Sequence, residues 1–493
     1  MIRKSITLLA LTAAGSLAPL WSQSPGSSFQ NFRNELLARH EEFRSEILSN
    51  YASFLDGVWK EYDSFRGVER SSVPKPEVQP LFTPSPSPSP EPEATALPEP
   101  VEVIPDAVPE PPVPPAPDPV PPAPVQPVAP ATVSIDYHGL NLDMPVPGFK
   151  LGTALRDERA YASAWRSLAA EPAVKDAILA LRRKAGEMGM NDYLTYDLVS
   201  HWVDGAFPRA DETARMSLVH YVLANMGYDI RLARTQSGDP LLLIPFNQKV
   251  YARRYMNIDG KRYYIFAGKS DPNLDGVEIY TCSIPSQMDA GRPLDLRITP
   301  LNIPYKAHPF DVSFGGISIS GEVNENLFPI LYKYPQMPTA DFAQSVVSPE
   351  VRKSIVDQIG KQVDGADPRA AADKILKFVQ SGFEYATDGD FHGFEKPYFF
   401  EEVLYYDKCD CEDRAVFYTY LLWNVLGLES QLLCYPGHES ASVRLDDGKP
   451  GDSYTYKGKK FYISDPTYIG ASTGMCMPVF VSVTPEIDYT YTR

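Results

Sequence analysis

Cysteine is scarce in this chain. There are five in 493 residues, with no Cys-x-x-Cys pair and no His/Cys cluster at zinc spacing, so no structural metal is expected. No loop follows the EF-hand pattern either, which removes the commonest calcium site. An odd number of cysteines leaves at least one thiol unpaired within the chain. Cys434 and Cys476 are candidates to pair, although their positions do not fix it. Positive charge is also short: 46 Lys and Arg stand against 63 Asp and Glu, for a net charge of −17. That balance excludes a broad nucleic-acid surface and general attraction to anionic lipid, while leaving room for a small basic patch. Beyond the N-terminus no run is long and apolar enough to cross a bilayer. Nothing in the sequence calls for a cofactor.

Proline, by contrast, is plentiful at 48 residues, far above the usual share of about 5%, and its placement divides the chain. Residues 1–23 read as an export signal: Arg3 and Lys4, an apolar run from Ile6 to Leu17, then small and polar residues, with cleavage expected between Ala18 and Gln23. No cysteine follows to carry a lipid anchor. The expected location is periplasmic or extracellular, with an uncleaved signal anchor as the alternative. Residues 24–71 are expected to form an amphipathic helix. Phe29, Phe32, Leu36, Phe43, Ile47, Tyr51, Phe54, Val58, Tyr62 and Phe65 recur at helical spacing. Such a stripe is expected to be buried on the rest of the chain, on a protein partner or on a second copy. Residues 72–132 hold 23 of the prolines and predict an extended, semi-rigid spacer.

A globular region begins near Ser134. Helices are expected over 160–186, 193–203 and 211–226, and strands at 240–245 and 261–266. The segment 271–345 reads as strand-rich, with alternation at 277–280, 294–298, 310–314 and 317–322. A helix over 368–379 and an aromatic loop over 385–408 lead to Cys411, which opens an apolar helix ending at Gly427. A thiol at a helix N-terminus feels the positive end of the helix dipole, which favours thiolate. Downstream, His438 stands at a strand edge and Asp465 follows the strand Phe461–Ser464. Attack on an amide needs a base for the thiol proton and a third group to orient that base. Cys411, His438 and Asp465 supply those types in a usable order. Asp446, Asp447 and Asp452 compete for the orienting role. Glu412, Asp413 and Arg414 are expected to cap and support the helix.

Cys-Glu-Asp-Arg-Ala at 411–415, Gly-His at 437–438 and Tyr-Ile-Ser-Asp-Pro at 462–466 together resemble the transglutaminase-like cysteine hydrolase superfamily, over roughly residues 346–480. The resemblance implies an α+β, papain-like fold in which a nucleophile helix packs on an antiparallel sheet. It also implies Cys411 as nucleophile, His438 as general base and acid, and Asp465 as orienter. Cys409 departs from the pattern, where the family usually has a small residue.

The region 133–270 reads as a second, degenerate copy of the same unit. Asp211-Glu212-Thr213-Ala214-Arg215 aligns with Cys411-Glu412-Asp413-Arg414-Ala415, and Gly260–Ile265 aligns with Gly458–Ile463. In this alignment Asp211 replaces Cys411, Asn247 falls opposite His438, and Ala267 falls opposite Asp465. Domains are thus expected at 133–270, 271–345 and 346–493, the last catalytic. The expected activity is hydrolysis of peptide or protein amides through an acyl-thioester. Acyl transfer to an amine, deamidation, or a non-catalytic binding or scaffold role are the alternatives.

Overall fold

Proline decides where the second helix begins. The computed structural model describes residues 132–151, 158–268, 272–282 and 291–492, preceded by three short strands, β1 (Glu77–Val78), β2 (Ala96–Leu97) and β3 (Val101–Val103). All belong to one compact unit, Lys75–Arg493. The expected signal and the helix at 24–71 lie outside the described residues. The single helix expected over 160–186 is two, α1 (Glu158–Ala170) and α2 (Pro172–Glu187). Proline disfavours helical backbone at the residue before it and suits the first helical position itself. Glu171 is accordingly extended, at φ −97° and ψ 107°.

Two capped helices follow. In α3 (Asp192–Ala206), Asn191 accepts the Leu194 N–H at 2.9 Å, and in α4 (Glu212–Asn225), Asp211 accepts the Ala214 N–H at 2.9 Å. A hairpin, β4 (Thr132–Tyr137) and β5 (Leu140–Pro145), packs on α3. Gly205 permits that approach, because a Cβ there would lie 2.6 Å from Ile135 Cγ2. After α4 come β6 (Arg231–Thr235), β7 (Pro240–Ile244), β8 (Tyr255–Ile258), β9 (Lys261–Ala267) and β10 (Ile279–Cys282).

The alternating run 294–298 is not a strand. Leu294, Leu296 and Ile298 are buried as alternation predicts, but side chains occupy most of the places a ladder would fill. Asp295 N–H donates to Asp192 Oδ2 at 3.0 Å, Leu296 N–H to Gln248 Oε1 at 2.9 Å, and Ile298 N–H to Ser345 Oγ at 3.3 Å. Alternation reports burial, and burial can be reached without strand pairing. Of the other three runs, 277–280 is strand only in its second half, where β10 (Ile279–Cys282) begins, while 310–314 and 317–322 fall in β11 (Ala307–Phe314) and β12 (Ile317–Asn324), a separate two-stranded hairpin.

The second half carries α5 (Pro349–Val363), α6 (Pro368–Gly382), the short strands β13 (Glu384–Tyr385) and β14 (Lys408–Cys409), and then α7 (Cys411–Leu426). Apolar residues surround most of α7: Phe417, Tyr418, Leu421 and Leu422 are all buried, as a helix enclosed between other layers requires. It stops at Gly427, whose φ of 65° is left-handed and whose N–H bonds the Trp423 carbonyl at 3.0 Å. The strands β15 (Ser430–Tyr435), β16 (His438–Arg444), β17 (Ser453–Tyr456), β18 (Lys459–Ile463), β19 (Tyr468–Ile469) and β20 (Glu486–Tyr491) complete the chain.

The fold is therefore α+β, with helices laid on antiparallel sheets. One sheet runs β17-β18-β16-β15-β20; the other contains β8-β9-β7-β6-β10 in the corresponding order. Each follows a helix, α7 in one case and α4 in the other. The β8–β9 and β17–β18 turns also match, with left-handed pairs at Asp259-Gly260 (φ 51° and 76°) and Lys457-Gly458 (φ 48° and 76°). This wiring corrects one detail of the sequence alignment. Leu243-Ile244 lies in the second strand of its sheet and Cys434-Tyr435 in the first. Thr235 and Asp239 meet as Cys434 and Glu439 do, so the tight turn Gln236–Gly238, not Asn247, stands where Tyr435–His438 stand. The proline-rich segment also does more than extend. In its proline-free stretches β2 pairs with β8, β3 with β10, and β1 with β19.

Candidate functional site

Cys411 is the first residue of α7 and His438 the first of β16, and α7 packs on β16. The backbone N–H of Glu439, one residue past the imidazole, acts to lower the Cys411 thiol pKa but is outweighed. Asp465 lies just past β18, held where the Ser464 N–H bonds Ala441 O at 2.8 Å. His438 Nε2 and Asp465 Oδ2 are 2.8 Å apart, and both residues are buried, at 7% and 2% exposure. Thr467 donates its hydroxyl at 2.7 Å and its N–H at 2.8 Å to the other oxygen, Asp465 Oδ1. Burial pushes the Asp465 carboxyl up, but the His438 charge and these hydrogen bonds outweigh it, and its pKa is lowered. Phe480 stacks on the imidazole at 5.3 Å and 3°. The competing aspartates are engaged elsewhere: Asp446 with Arg444, Asp447 with Arg369, and Asp452 with the Cys476 N–H.

The thiol itself departs from the expectation of a thiolate. No hydrogen bond joins Cys411 to His438. The thiol donates to Glu412 Oε2 at 3.1 Å, and Cys411 is only 5% exposed. Burial, followed by the Glu412 and Asp410 carboxylates, holds its pKa well above the ordinary thiol value. The helix dipole is outweighed by burial first and by the acidic side chains around the first turn of α7 second.

That charge forms a nest. Asp388, Asp410 and Asp413 are buried, with carboxylate oxygens within 4.8 Å of one another. Burial first, and neighbouring carboxylates next, push all three pKa values well above the usual range. Asp413 closes the turn, accepting the Tyr398 N–H at 2.7 Å and the Asp410 N–H at 3.1 Å. Asp410 Oδ1 has no partner. The nearby Lys396 ammonium pairs instead with Glu402 at 2.5 Å.

Arg414 makes no ion pair with these acids. It is fully buried and donates to Gln380 O at 3.1 Å, Phe383 O at 2.7 Å and Cys409 Sγ at 3.4 Å. Cys409 is thus a structural thiol, pushed up to about 11 by burial. Cys434 and Cys476 are both free rather than paired. Sequence reasoning missed three participants. Glu412 was read as helix support although it adjoins the thiol. Thr467 carries a legible signal, since a Thr two residues after an Asp commonly bonds it. Phe480 has none, being distant in sequence. Compared with known proteins, the chain matches no family model and no curated sequence.

Proposed function

We propose that the protein is an exported thiol hydrolase that cleaves peptide or protein amides through Cys411, His438 and Asp465, in a transglutaminase-like domain. The observation that carries this reading is the buried His438–Asp465 bond. Asp465 occupies Nε2, which leaves Nδ1 as the nitrogen free to serve a thiol, and Cys411 lies beside the next residue of the strand. In the reaction His438 Nδ1 takes the thiol proton as sulfur bonds to the carbonyl carbon. The imidazolium then gives that proton to the departing amine, leaving an acyl-thioester. Water attacks this ester with His438 again as base, and the thiol is regenerated. Cys411 and Glu412 are the first helical residues, so their N–H groups have no intrahelical acceptor and suit a developing oxyanion.

The resting thiol must leave Glu412 before this can begin. Its bond to Glu412 favours a second reading, a binding or scaffold protein that keeps an inert thiol. The matching strand order of the two sheets supports a duplication in which the first copy has lost the chemistry: Asp211 caps α4 where Cys411 opens α7, and Ala267 stands opposite Asp465. Modification of the full chain by iodoacetamide near neutral pH separates the readings. A catalytic Cys411 reacts faster than Cys282 and slows when His438→Ala is introduced. Equal slow modification of all accessible cysteines, unchanged by that substitution, makes it a binding protein.

A further inference from the structure

A second cluster of chemically able side chains lies in the other half of the molecule. His138 sits in the β4–β5 turn, while Asp197 and His201 stand one helical turn apart on α3. His138 Nε2 is 2.6 Å from Asp197 Oδ2, and His201 Nε2 is 3.8 Å from Asp197 Oδ1. One ligand atom from each lies within 4.8 Å of the others. Both imidazoles pack edge-on against the buried Tyr137 ring, at 4.8 and 5.2 Å, and lie 4.7 Å from one another. Among the described residues no Lys or Arg pairs with Asp197.

The tautomers make this arrangement informative. His201 Nδ1 faces the Asp136 carbonyl at 3.1 Å. A carbonyl only accepts, so Nδ1 carries the hydrogen, and in the neutral ring Nε2 is a bare lone pair. Nε2 is turned toward Asp197 Oδ1, 3.8 Å away. A backbone carbonyl behind one ring nitrogen is the usual support that orients the other nitrogen toward a metal. Side-chain exposures of 26%, 19% and 34% for His138, Asp197 and His201 leave the cluster open to solvent.

We propose that His138, Asp197 and His201 bind a divalent zinc ion, through both Nε2 atoms and the Asp197 carboxylate, with the fourth position open to water. Two imidazoles and one carboxylate suit zinc and disfavour calcium or magnesium, which prefer all-oxygen sets. Tetrahedral zinc separates its ligand atoms by about 3.3 Å, so the 2.6 and 3.8 Å separations need only small side-chain adjustments. The ion ties the β4–β5 hairpin to α3. A sequence scan for clustered cysteine and histidine misses the site because one ligand is an aspartate and His138 comes from a distant turn.

The test is zinc titration of the chelator-stripped full chain against a chromophoric competitor, repeated for His201→Gln and Asp197→Asn. Wild type binds one more equivalent than either variant, and millimolar calcium or magnesium does not displace it. Circular dichroism of the metal-free variants checks that they fold. Cobalt substitution gives visible d–d bands lacking the near-ultraviolet thiolate band of a cysteine site. Equal stoichiometry in wild type and both folded variants, or a thiolate band on the ion that the variants lose, overturns the proposal.

Discussion

His438 Nε2 meets Asp465 Oδ2 at 2.8 Å inside the protein, and Thr467 holds the other carboxylate oxygen. The pair fixes which imidazole nitrogen is spent on the carboxylate and which is left for chemistry. Asp465→Asn keeps the shape of the site but removes the charge that holds the ring and stabilises an imidazolium. Amide hydrolysis by the variant is expected to fall by about 100-fold or more, with KM little changed. Steady-state kinetics on a peptide amide check this.

After burial, Glu412 is the strongest restraint on the Cys411 thiol. Glu412→Gln removes the nearest negative charge, so the Cys411 pKa falls toward the ordinary thiol value. Alkylation near neutral pH is expected to quicken severalfold, because only the thiolate reacts. Rates from pH-dependent iodoacetamide labelling measure it. An unchanged rate would mean that burial alone sets the thiol.

Stability should depend on pH in two opposite ways. Asp388, Asp410 and Asp413 have raised pKa values, so the folded state binds their protons more tightly than the unfolded chain. Their contribution is full below the unfolded carboxylate value and is lost as pH rises through the raised values. Asp465 is lowered, so its contribution is present above the unfolded value and is lost as pH falls through the lowered one. The Tm is therefore expected to rise on mild acidification and then fall in stronger acid. Asp410→Asn should flatten the rise and leave the acid limb in place, which thermal melts across pH would reveal.

Arg414 supports the α7 end by three hydrogen bonds made in full burial. Arg414→Met leaves the Gln380 and Phe383 carbonyls without that donor. A loss of about 3 kcal/mol is expected, read by urea unfolding.

Much of this was legible because local chemistry reports it. The Cys411 helix and its Gly427 stop, the hairpin turns at Gly260 and Gly458, and the order Cys, His, Asp are all written in short stretches. The break at Pro172 was equally local, although the apolar periodicity on either side concealed it. The run 294–298 misled because side chains from Asp192, Gln248 and Ser345 stand in for strand neighbours. The protonation of Cys411 could not be read at all. It depends first on burial, which only the fold creates, and then on the Glu412 and Asp410 carboxylates that the fold holds beside the thiol.

The central claim is that Cys411 forms an acyl-thioester with help from His438. Its most direct test is mass spectrometry of the acid-quenched full chain after brief exposure to an activated acyl ester of a short peptide. The account predicts one acyl adduct, on Cys411, which turns over in water and is lost or strongly slowed in His438→Ala. Adducts spread evenly over the accessible cysteines, or a Cys411 adduct formed equally well without His438, would contradict it.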